Sequence, residues 1–151
     1  LLSLRKSIAI VLPKSHCRAK SQETRSLKMP KTPTVEALRL LWIDVFNSRD
    51  VETHALLYTE DAMLFGSNPE LVTGRDGIKA YFAGQGPGVH VHHYPEPYKV
   101  SVTPDIVATA AHVDFADGDE LMPYRMTWLL VKQGDNWRIA QHHGSPRGKA
   151  V

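Results

Sequence analysis

The sequence predicts an α+β fold, in which an antiparallel sheet packs one of its faces against about three N-terminal helices. Two observations carry this prediction. Apolar residues first recur at the three- and four-residue spacing of amphipathic helices, and from about residue 89 onward they alternate with the period of two that is typical of strands. Turn residues separate these stretches, and no internal repeat interrupts them.

Three helices are predicted ahead of the main run of strands. Thr32 and Pro33 form a helix start, because threonine caps helix N-termini and proline fits the first helical position. Asp50 is the predicted cap of a second, short helix, and residues 74–82 are predicted to form the third. A short strand is predicted at 62–65. The predicted core positions of the helices include Leu38, Leu41, Trp42, Val45, Phe46, Leu57, Ile78, Tyr81 and Phe82.

Five strands are predicted after the glycine-rich segment at 84–88. Gly118 and Gly134 occupy the tight positions of two hairpin turns, so the last three strands form an antiparallel meander. Pro95 and Pro97 leave open whether the first two strands are a single strand with a bend. The predicted strands span 89–94, 98–102, 106–115, 124–132 and 137–143.

The predicted strand at 124–132 is substantially apolar on both faces. A sheet with one face in water alternates apolar with polar residues, so the second face of this sheet is expected to be covered. We predict that another copy of the chain covers it, in a homodimer or a larger ring. The two faces carry Tyr124, Met126, Trp128 and Leu130 on one side, and Arg125, Thr127, Leu129 and Val131 on the other.

The length and composition are those of one globular domain. A chain of 151 residues can bury a sizeable core, and 42% hydrophobic with 23% charged residues is an ordinary globular balance. The single cysteine, Cys17, excludes a disulfide framework within the chain. No apolar run approaches the roughly 18 residues that a membrane-spanning helix requires, so no membrane partner is expected.

The charge is distributed unevenly along the chain. Residues 1–28 carry a net charge of +6, whereas residues 29–151 carry −4. The folded part is therefore mildly acidic and lacks the basic face of a nucleic-acid-binding domain.

We divide the chain into a basic disordered or targeting segment at 1–31 and one folded domain at 32–151. The basic segment is rich in Ser, Arg and Lys and poor in acids, as transit peptides are. A disordered basic tail and a sequence upstream of a natural start at Met29 remain alternatives. The expected location is cytoplasmic, or the chloroplast or mitochondrion if residues 1–28 are a transit peptide.

Three stretches of the chain resemble the nuclear-transport-factor-2-like (SnoaL-like) superfamily. They read FNSRDVETHALLYTEDAMLFG, LVTGRDGIKAYF and YRMTWLLVKQGDNWRIAQHHGS, and the resemblance covers about 34–148. It implies that the antiparallel sheet curves into a cone, the fold of ketosteroid isomerases and SnoaL-like proteins. Because many chemistries and some non-enzymes use this cone, the resemblance is more specific for fold than for function.

Within the superfamily, the chain is most similar to the association (hub) domain of calcium/calmodulin-dependent protein kinase II and to its stand-alone relatives. Iota-class carbonic anhydrases are similar as well. The hub resemblance implies self-assembly and a pocket for a small carboxylate, and the anhydrase resemblance implies metal-free hydration of carbon dioxide. The positions shared with the hub domain are 71–82, Arg125, Trp128, Trp137, Ile139, His143 and Ser145.

The two resemblances imply a set of site residues. Tyr81, His143 and Ser145 of this chain match catalytic positions of the carbonic anhydrases, so the resemblance implies a catalytic role for them. Tyr81 and His143 would also contact a ligand, together with Arg125, which matches a hub pocket arginine, and His112, which lies near the position of another.

Alternation along the last strand predicts how its two adjacent histidines are oriented. His143 shares parity with Trp137 and Ile139, which we expect to face the core and the cone, so His143 is predicted to point into the pocket and His142 away from it. Gly144 stands where both similar families have a functional side chain.

Two further kinds of chemistry find less support. Trp42 and Gly66 stand where ketosteroid isomerases place a tyrosine and a base aspartate, so their proton shuttle is not expected here. His90 and His92 share a strand face, but no Cys, Asp or Glu flanks them at ligand spacing. We therefore predict no metal site and no cofactor.

The sequence thus predicts a self-associating SnoaL-like, hub-domain-like module that binds a small polar or anionic ligand in its cone. The alternative is a small-molecule lyase or isomerase, most concretely a metal-free carbonic anhydrase, although no complete catalytic constellation is present.

Overall fold

The computed structural model of the protein describes residues 28–148, and most of the predicted basic segment at 1–31 lies outside them. The described residues form three helices and seven strands, in the order α1, α2, β1, β2, α3 and then β3 to β7. The helices are α1 (Val35–Ser48), α2 (Val51–Leu56) and α3 (Gly74–Ala83). The strands are β1 (Tyr58–Phe65), β2 (Val72–Thr73), β3 (Val89–His93), β4 (Tyr98–Thr103), β5 (Ile106–Asp117), β6 (Glu120–Gln133) and β7 (Asn136–Pro146).

The predicted N-cap of α1 at Thr32 is wrong by two residues. The cap is Thr34, whose hydroxyl accepts the backbone N–H of Ala37 at 3.0 Å. Thr32 is instead fully buried against β7, where its hydroxyl donates to the Trp137 carbonyl at 2.7 Å. The Trp137 N–H in turn donates to the Thr32 carbonyl at 2.8 Å. Thr32 therefore belongs to the edge of the sheet and is not available as a cap.

The other two predicted helices are confirmed. The Asp50 side chain accepts the N–H of Thr53 at 3.0 Å and so caps α2. Helix α3 buries Ile78 and Phe82. No helix among residues 28–148 has the length and apolar character needed to cross a membrane.

The sheet is curved and mostly antiparallel, as predicted, and its strand order is β2-β1-β7-β6-β5-β3, with β4 also pairing with β5. Strands β3 and β4 pair with successive halves of β5, as expected for a strand interrupted at Pro95 and Pro97. Gly118 and Gly134 have φ of 58° and 59°, which the two tight hairpins require. One pairing differs from the predicted meander, because β1 lies parallel to β7.

The helices pack on one face of the sheet, which we call the inner face, and the core lies between them. Trp42 of α1 is at its centre, with Trp128 of β6 and Phe82 of α3 within 5.6 and 6.1 Å between ring centroids. The opposite face, called the outer face, carries no helix among the described residues. Large apolar side chains exposed on the outer face include Met63, Phe65, Tyr98 and Val100.

Candidate functional site: a neutral cavity inside the cone

A cavity of about 100 Å³ opens between α1, α3 and the inner face of the sheet. The walls are mostly aromatic and aliphatic, and the polar groups are few. The residues that line it are Trp42, Phe46, Leu64, Gly66, Ser67, Tyr81, Phe82, Gln85, Val89, Phe115, Met122, Tyr124, Met126, His142 and Gly144. None of these described residues is an Asp, Glu, Lys or Arg, so the cavity is lined by groups without a permanent charge.

A chain of hydrogen-bonding groups runs from α1 through β1 to the floor of the cavity on β7. The Nε1–H of Trp42 donates to the Tyr58 hydroxyl at 3.0 Å. The same hydroxyl lies 2.8 Å from Nδ1 of His142. The Tyr58 and His142 rings are nearly parallel, with an interplanar angle of 10° and centroids 6.1 Å apart. The Tyr58 hydroxyl therefore meets the imidazole of His142 at its edge, close to the plane of the ring.

Burial keeps both titratable groups of this chain uncharged. Loss of solvation lowers the pKa of His142 to about 3, with a smaller contribution from the neighbouring His143. Loss of solvation also raises the pKa of Tyr58 well above its ordinary value, against the opposing effect of the Trp42 hydrogen bond. At neutral pH the cavity floor therefore presents a neutral imidazole supported by a protonated phenol.

A second buried histidine lies behind the cavity wall. His54 of α2 stacks on Phe82 with ring centroids 3.9 Å apart and packs edge-on against Trp42. Burial lowers the pKa of His54 to about 3. Its Nε2 has no hydrogen-bond partner among the described residues. His54 is thus another neutral imidazole, enclosed in the aromatic core.

One side of the cavity is formed by a contact between α3 and the loop after β1. The Tyr81 hydroxyl accepts the Ser67 N–H at 3.0 Å and lies 3.2 Å from its hydroxyl. This contact requires Gly66, because a Cβ at that position would stand 2.0 Å from the Tyr81 hydroxyl oxygen. Tyr81 therefore lines the cavity, in agreement with its predicted position.

The predicted orientation of the two β7 histidines is wrong. His142 lines the cavity and is only 5% exposed, whereas His143 is exposed and does not line it. The reason is a β-bulge: Leu130 pairs with Ile139 and Leu129 pairs with Gln141, which leaves Ala140 as an extra residue on β7. One extra residue reverses the alternation of every side chain that follows it.

The remaining predicted site residues lie on the outer face. Arg125 and His112 are exposed, and they are cross-strand neighbours of each other. Ser145 pairs with Arg125. It follows Gly144, which lines the cavity, so its side chain lies on the opposite, outer face. The predicted grouping of Tyr81 with His143, Ser145, Arg125 and His112 in one pocket is therefore wrong, because the sheet separates Tyr81 from the other four.

An ion pair ties part of this outer group to the chain end. Arg147 lies 3.1 Å from a carboxylate oxygen of Asp114 and 2.9 Å from Nδ1 of His112. Across residues 28–148, no group of three or more His, Cys, Asp or Glu side chains has an arrangement that would hold a metal ion.

Sequence reasoning did not identify His142 and Tyr58 as cavity residues. The strand pattern gave no sign of the bulge at Ala140, and Tyr58 precedes the predicted limits of its strand. A signal in the sequence is the apolar run of residues 55–57, which has His54 before it and Tyr58 and Thr59 after it, three residues that the structure buries.

The comparisons with known proteins agree with this architecture. A SnoaL-like domain model matches residues 35–147. A ketosteroid isomerase-like protein from Erwinia carotovora atroseptica superposes with a TM-score of 0.65 at 19% identity, covering 76% of this chain and 94% of that one. An NTF2-like protein with a cystatin-like fold from Novosphingobium aromaticivorans gives 0.64 at 17% identity, with coverage of 76% and 80%.

A putative scytalone dehydratase from Novosphingobium aromaticivorans gives a TM-score of 0.62 at 15% identity, covering 76% of this chain and 82% of that one. No curated protein sequence matches the chain significantly. At these identities the superpositions show the fold alone. The match of the domain model over residues 35–147 goes further, and the chain belongs to the SnoaL-like domain family.

Proposed function

We propose that the protein is a self-associating binding module whose cone holds one small, uncharged and mainly apolar molecule. The observation that carries the proposal is the lining of the cavity, which combines aromatic and aliphatic walls with a neutral imidazole. Moving a charged group into such surroundings without a partner is costly, whereas an apolar molecule gains from leaving water. This supports an uncharged ligand over the anionic one that the sequence predicts.

The size of the cavity limits the ligand to about one ring. An apolar protein cavity of roughly 150 Å³ holds benzene. The present cavity is about 100 Å³. This volume is too small for a fused-ring substrate, so we favour a single ring or a short branched chain.

A binding module is favoured over an acid–base enzyme by the protonation states at the cavity. General acid–base catalysis works best with a group whose pKa lies near the working pH. Burial moves the pKa of His142 to about 3, and none of the described lining residues is a carboxylate. Similar folds carry names such as ketosteroid isomerase-like protein and putative scytalone dehydratase, so a lyase or isomerase remains the second candidate.

The finer resemblance to carbonic anhydrases and hub domains is not part of this proposal. Both interpretations need His143 or Arg125 in the pocket, and both residues are exposed on the outer face. A stopped-flow assay of carbon dioxide hydration tests the anhydrase alternative, and we expect no rate above that of the buffer.

Calorimetric titration with toluene and benzoate tests the proposed ligand class, because the two are of similar size and differ in charge. We expect saturable binding of toluene and none of benzoate. In a Gly144→Val variant the added methyl groups would occupy the cavity, since a Cβ there lies 3.6 Å from Met126 Cγ, and toluene binding should be lost. A Ser145→Val variant, changed at the next residue but on the other face, should bind normally.

Binding of benzoate but not toluene would overturn the proposed ligand class. Equal loss of toluene binding in the Gly144→Val and Ser145→Val variants would place the bound toluene somewhere other than in the cone.

Self-association is proposed through the outer face of the sheet. One cross-strand row on this face contains Tyr98, Ala110, Thr127, His143 and Phe65 in that order. Ala110 and Thr127 in this row are small, and His143 stands beside Phe65. The large apolar side chains at the ends of the row, Tyr98 and Phe65, are 75% and 46% exposed.

The shape of this row is what makes a second copy the favoured occupant. Tyr98 and Val100 stand on one edge of a trough floored by Ala108, Ala110 and Thr127. A copy related by a two-fold axis would insert its Tyr98 into the trough of the other, and none of the described residues that line the trough is charged. Exposed apolar surface of this kind is typical of protein interfaces.

A further inference from the structure

The chain of Trp42, Tyr58 and His142 fixes which nitrogen of the imidazole carries the proton. An indole N–H can only donate, so the Trp42 Nε1–H occupies one acceptor site of the Tyr58 oxygen. Tyr58 is fully buried, and Nδ1 of His142 is the one acceptor among the described residues within hydrogen-bond distance of its hydroxyl. The hydroxyl must therefore donate to Nδ1.

The other tautomer would leave a buried donor unsatisfied. If Nδ1 carried the proton, the Tyr58 oxygen would accept two hydrogen bonds and its own O–H would have no partner. Native structures rarely contain a buried hydroxyl in that condition, because its desolvation is not compensated. The ring is neutral, so its single proton is on Nε2.

Nε2 of His142 faces the cavity. It lies beside Gly144 and Met126, both of which line the cavity, since a Cβ added at Gly144 would be 3.6 Å from Nε2. No hydrogen bond among the described residues uses this nitrogen. The fully enclosed side-chain atoms without a partner are His54 Nε2, Thr59 Oγ1 and Trp128 Nε1. His142 Nε2 is not one of them, so it is accessible from the cavity. A fixed N–H donor without a protein acceptor among the described residues therefore points into a mainly apolar space.

We propose that His142 is the anchor of this site and donates a hydrogen bond from Nε2 to the carbonyl oxygen of an uncharged, single-ring ligand. The inference rests on the proposed function and names the ligand class for the same cavity. An alcohol oxygen can accept this hydrogen bond, but it also brings an O–H that the protonated Nε2 cannot accept, and a carboxylate finds no compensating cation among the lining residues. A ketone, lactone or similar neutral carbonyl compound satisfies both the donor and the apolar walls.

Three of the four other polar side chains that line the cavity already have hydrogen-bond partners, and the fourth is Tyr124. The Tyr81 hydroxyl accepts the Ser67 N–H at 3.0 Å and lies 3.2 Å from its hydroxyl, and the Gln85 amide donates to the Tyr81 carbonyl at 3.3 Å. The carbonyl end of the ligand is therefore expected on the floor at His142, with the apolar remainder directed toward Phe46 and Phe115.

Nuclear magnetic resonance of ¹⁵N-histidine-labelled protein tests the inference with two isosteric probes. Long-range ¹H–¹⁵N spectra of the free protein are expected to show His142 as the Nε2–H tautomer. Cyclohexanone should shift the Nε2–H resonance, whereas methylenecyclohexane, which has the same shape but no acceptor, should bind and leave that resonance nearly unchanged.

A matched pair of tyrosine variants separates anchoring from simple packing. Tyr58→Phe removes the hydroxyl and keeps the ring, so His142 should lose its single tautomer. The affinity ratio of cyclohexanone to methylenecyclohexane should then fall about three- to tenfold, the range of one net hydrogen bond. Tyr94→Phe changes another buried tyrosine with no hydrogen bond to His142, and both readouts should stay as in the parent.

The outcomes distinguish this inference from the function on which it rests. An Nδ1–H tautomer in the free protein, or equal Nε2–H shifts with both probes, would overturn the anchoring role while leaving the apolar cavity as a binding site. Failure of both probes to bind would overturn the proposed function and the anchoring role together.

Discussion

At the scale of single residues, the protein is unusual in keeping two imidazoles neutral inside its core. His54 and His142 are almost completely buried, and burial lowers the pKa of each from 6.5 to about 3. One lies behind the cavity wall and the other forms the cavity floor. Their uncharged state is a condition for an apolar cavity, because a protonated ring would bring an uncompensated charge into it.

This condition predicts an acid-labile fold. An unfolded chain protonates both histidines below about pH 6.5, whereas the folded chain resists protonation until about pH 3, so the free energy of unfolding should fall as pH drops through that window. At pH 5, His54→Phe should reduce the number of protons taken up on unfolding by about one. The measurement is urea unfolding at several pH values.

Ile78→Val is the control for that experiment, since it lowers stability at a fully buried position without removing a titratable group. An unchanged proton uptake in His54→Phe would mean that His54 is protonated in the folded protein, against the expected neutral state.

Gly66 is predicted to be a position where one methyl group has a large effect. In Gly66→Ala the new Cβ would stand 2.0 Å from the Tyr81 hydroxyl, so Tyr81 must move and release Ser67. We expect a loss of about 1–3 kcal/mol in the free energy of unfolding, the usual range for overpacking. In a Tyr81→Ala background the same change should cost much less. A double-mutant cycle measures this coupling, and simple additivity of the two changes would contradict the contact.

At the scale of secondary-structure elements, the sequence predicts most of the fold but misses two details that decide the site. These are the bulge in β7 and the start of β1 at Tyr58. Helical and strand periods are set by burial, so they are visible in the order of apolar residues. The bulge at Ala140 depends on how β7 pairs with β6 and β1, and nothing local in the sequence encodes that pairing. A one-residue bulge exchanges the roles of His142 and His143, which is why the element was predictable and the cavity residue was not.

The N-terminal edge of the domain illustrates the same limit. Thr32 and Thr34 are equally good caps by local propensity, and Thr32 followed by Pro33 is the more typical pattern. The choice is made by a long-range contact, because Arg138 of β7 is buried and donates to the Thr32 hydroxyl at 2.5 Å and the Pro30 carbonyl at 3.0 Å.

Thr32→Val tests this edge contact. The shape is kept, but the buried guanidinium of Arg138 and the carbonyl of Trp137 each lose a partner. We expect a loss of about 1–3 kcal/mol by chemical denaturation. Thr73→Val is the matched control, since Thr73 precedes α3 without a side-chain capping bond and should lose little. Equal effects at the two positions would mean that the Thr32 contacts contribute nothing specific.

At the scale of the whole molecule, two faces of one sheet have separate roles. The inner face and the helices enclose the cavity, and the outer face carries the apolar trough. The fold class was predictable because helices first and strands afterward leave few arrangements. The assignment of residues to faces was not, because Arg125, His112, His143 and Ser145 are polar residues that are plausible on either face until the register is known.

The proposed assembly predicts that a charge in the trough produces a monomer. Wild-type protein should sediment as a dimer of the 16.9 kDa chain at micromolar concentration, and Ala110→Asp should sediment as a folded monomer. Ala110 is exposed in one copy, so the change affects a second copy and not the fold. Leu40→Asp, at an exposed position on α1, is the control and should remain dimeric. A monomeric wild type would contradict the assembly.

The most direct test of the central claim, that the cone binds a small uncharged molecule, uses the methionines as reporters. Met122 and Met126 line the cavity, whereas Met63 is exposed on the outer face. In protein labelled with ¹³C at the methionine methyl groups, titration with toluene is predicted to shift the Met122 and Met126 signals together and saturably, and to leave Met63 unchanged. Shifts at Met63 alone, or no saturable shift at Met122 and Met126, would contradict the account.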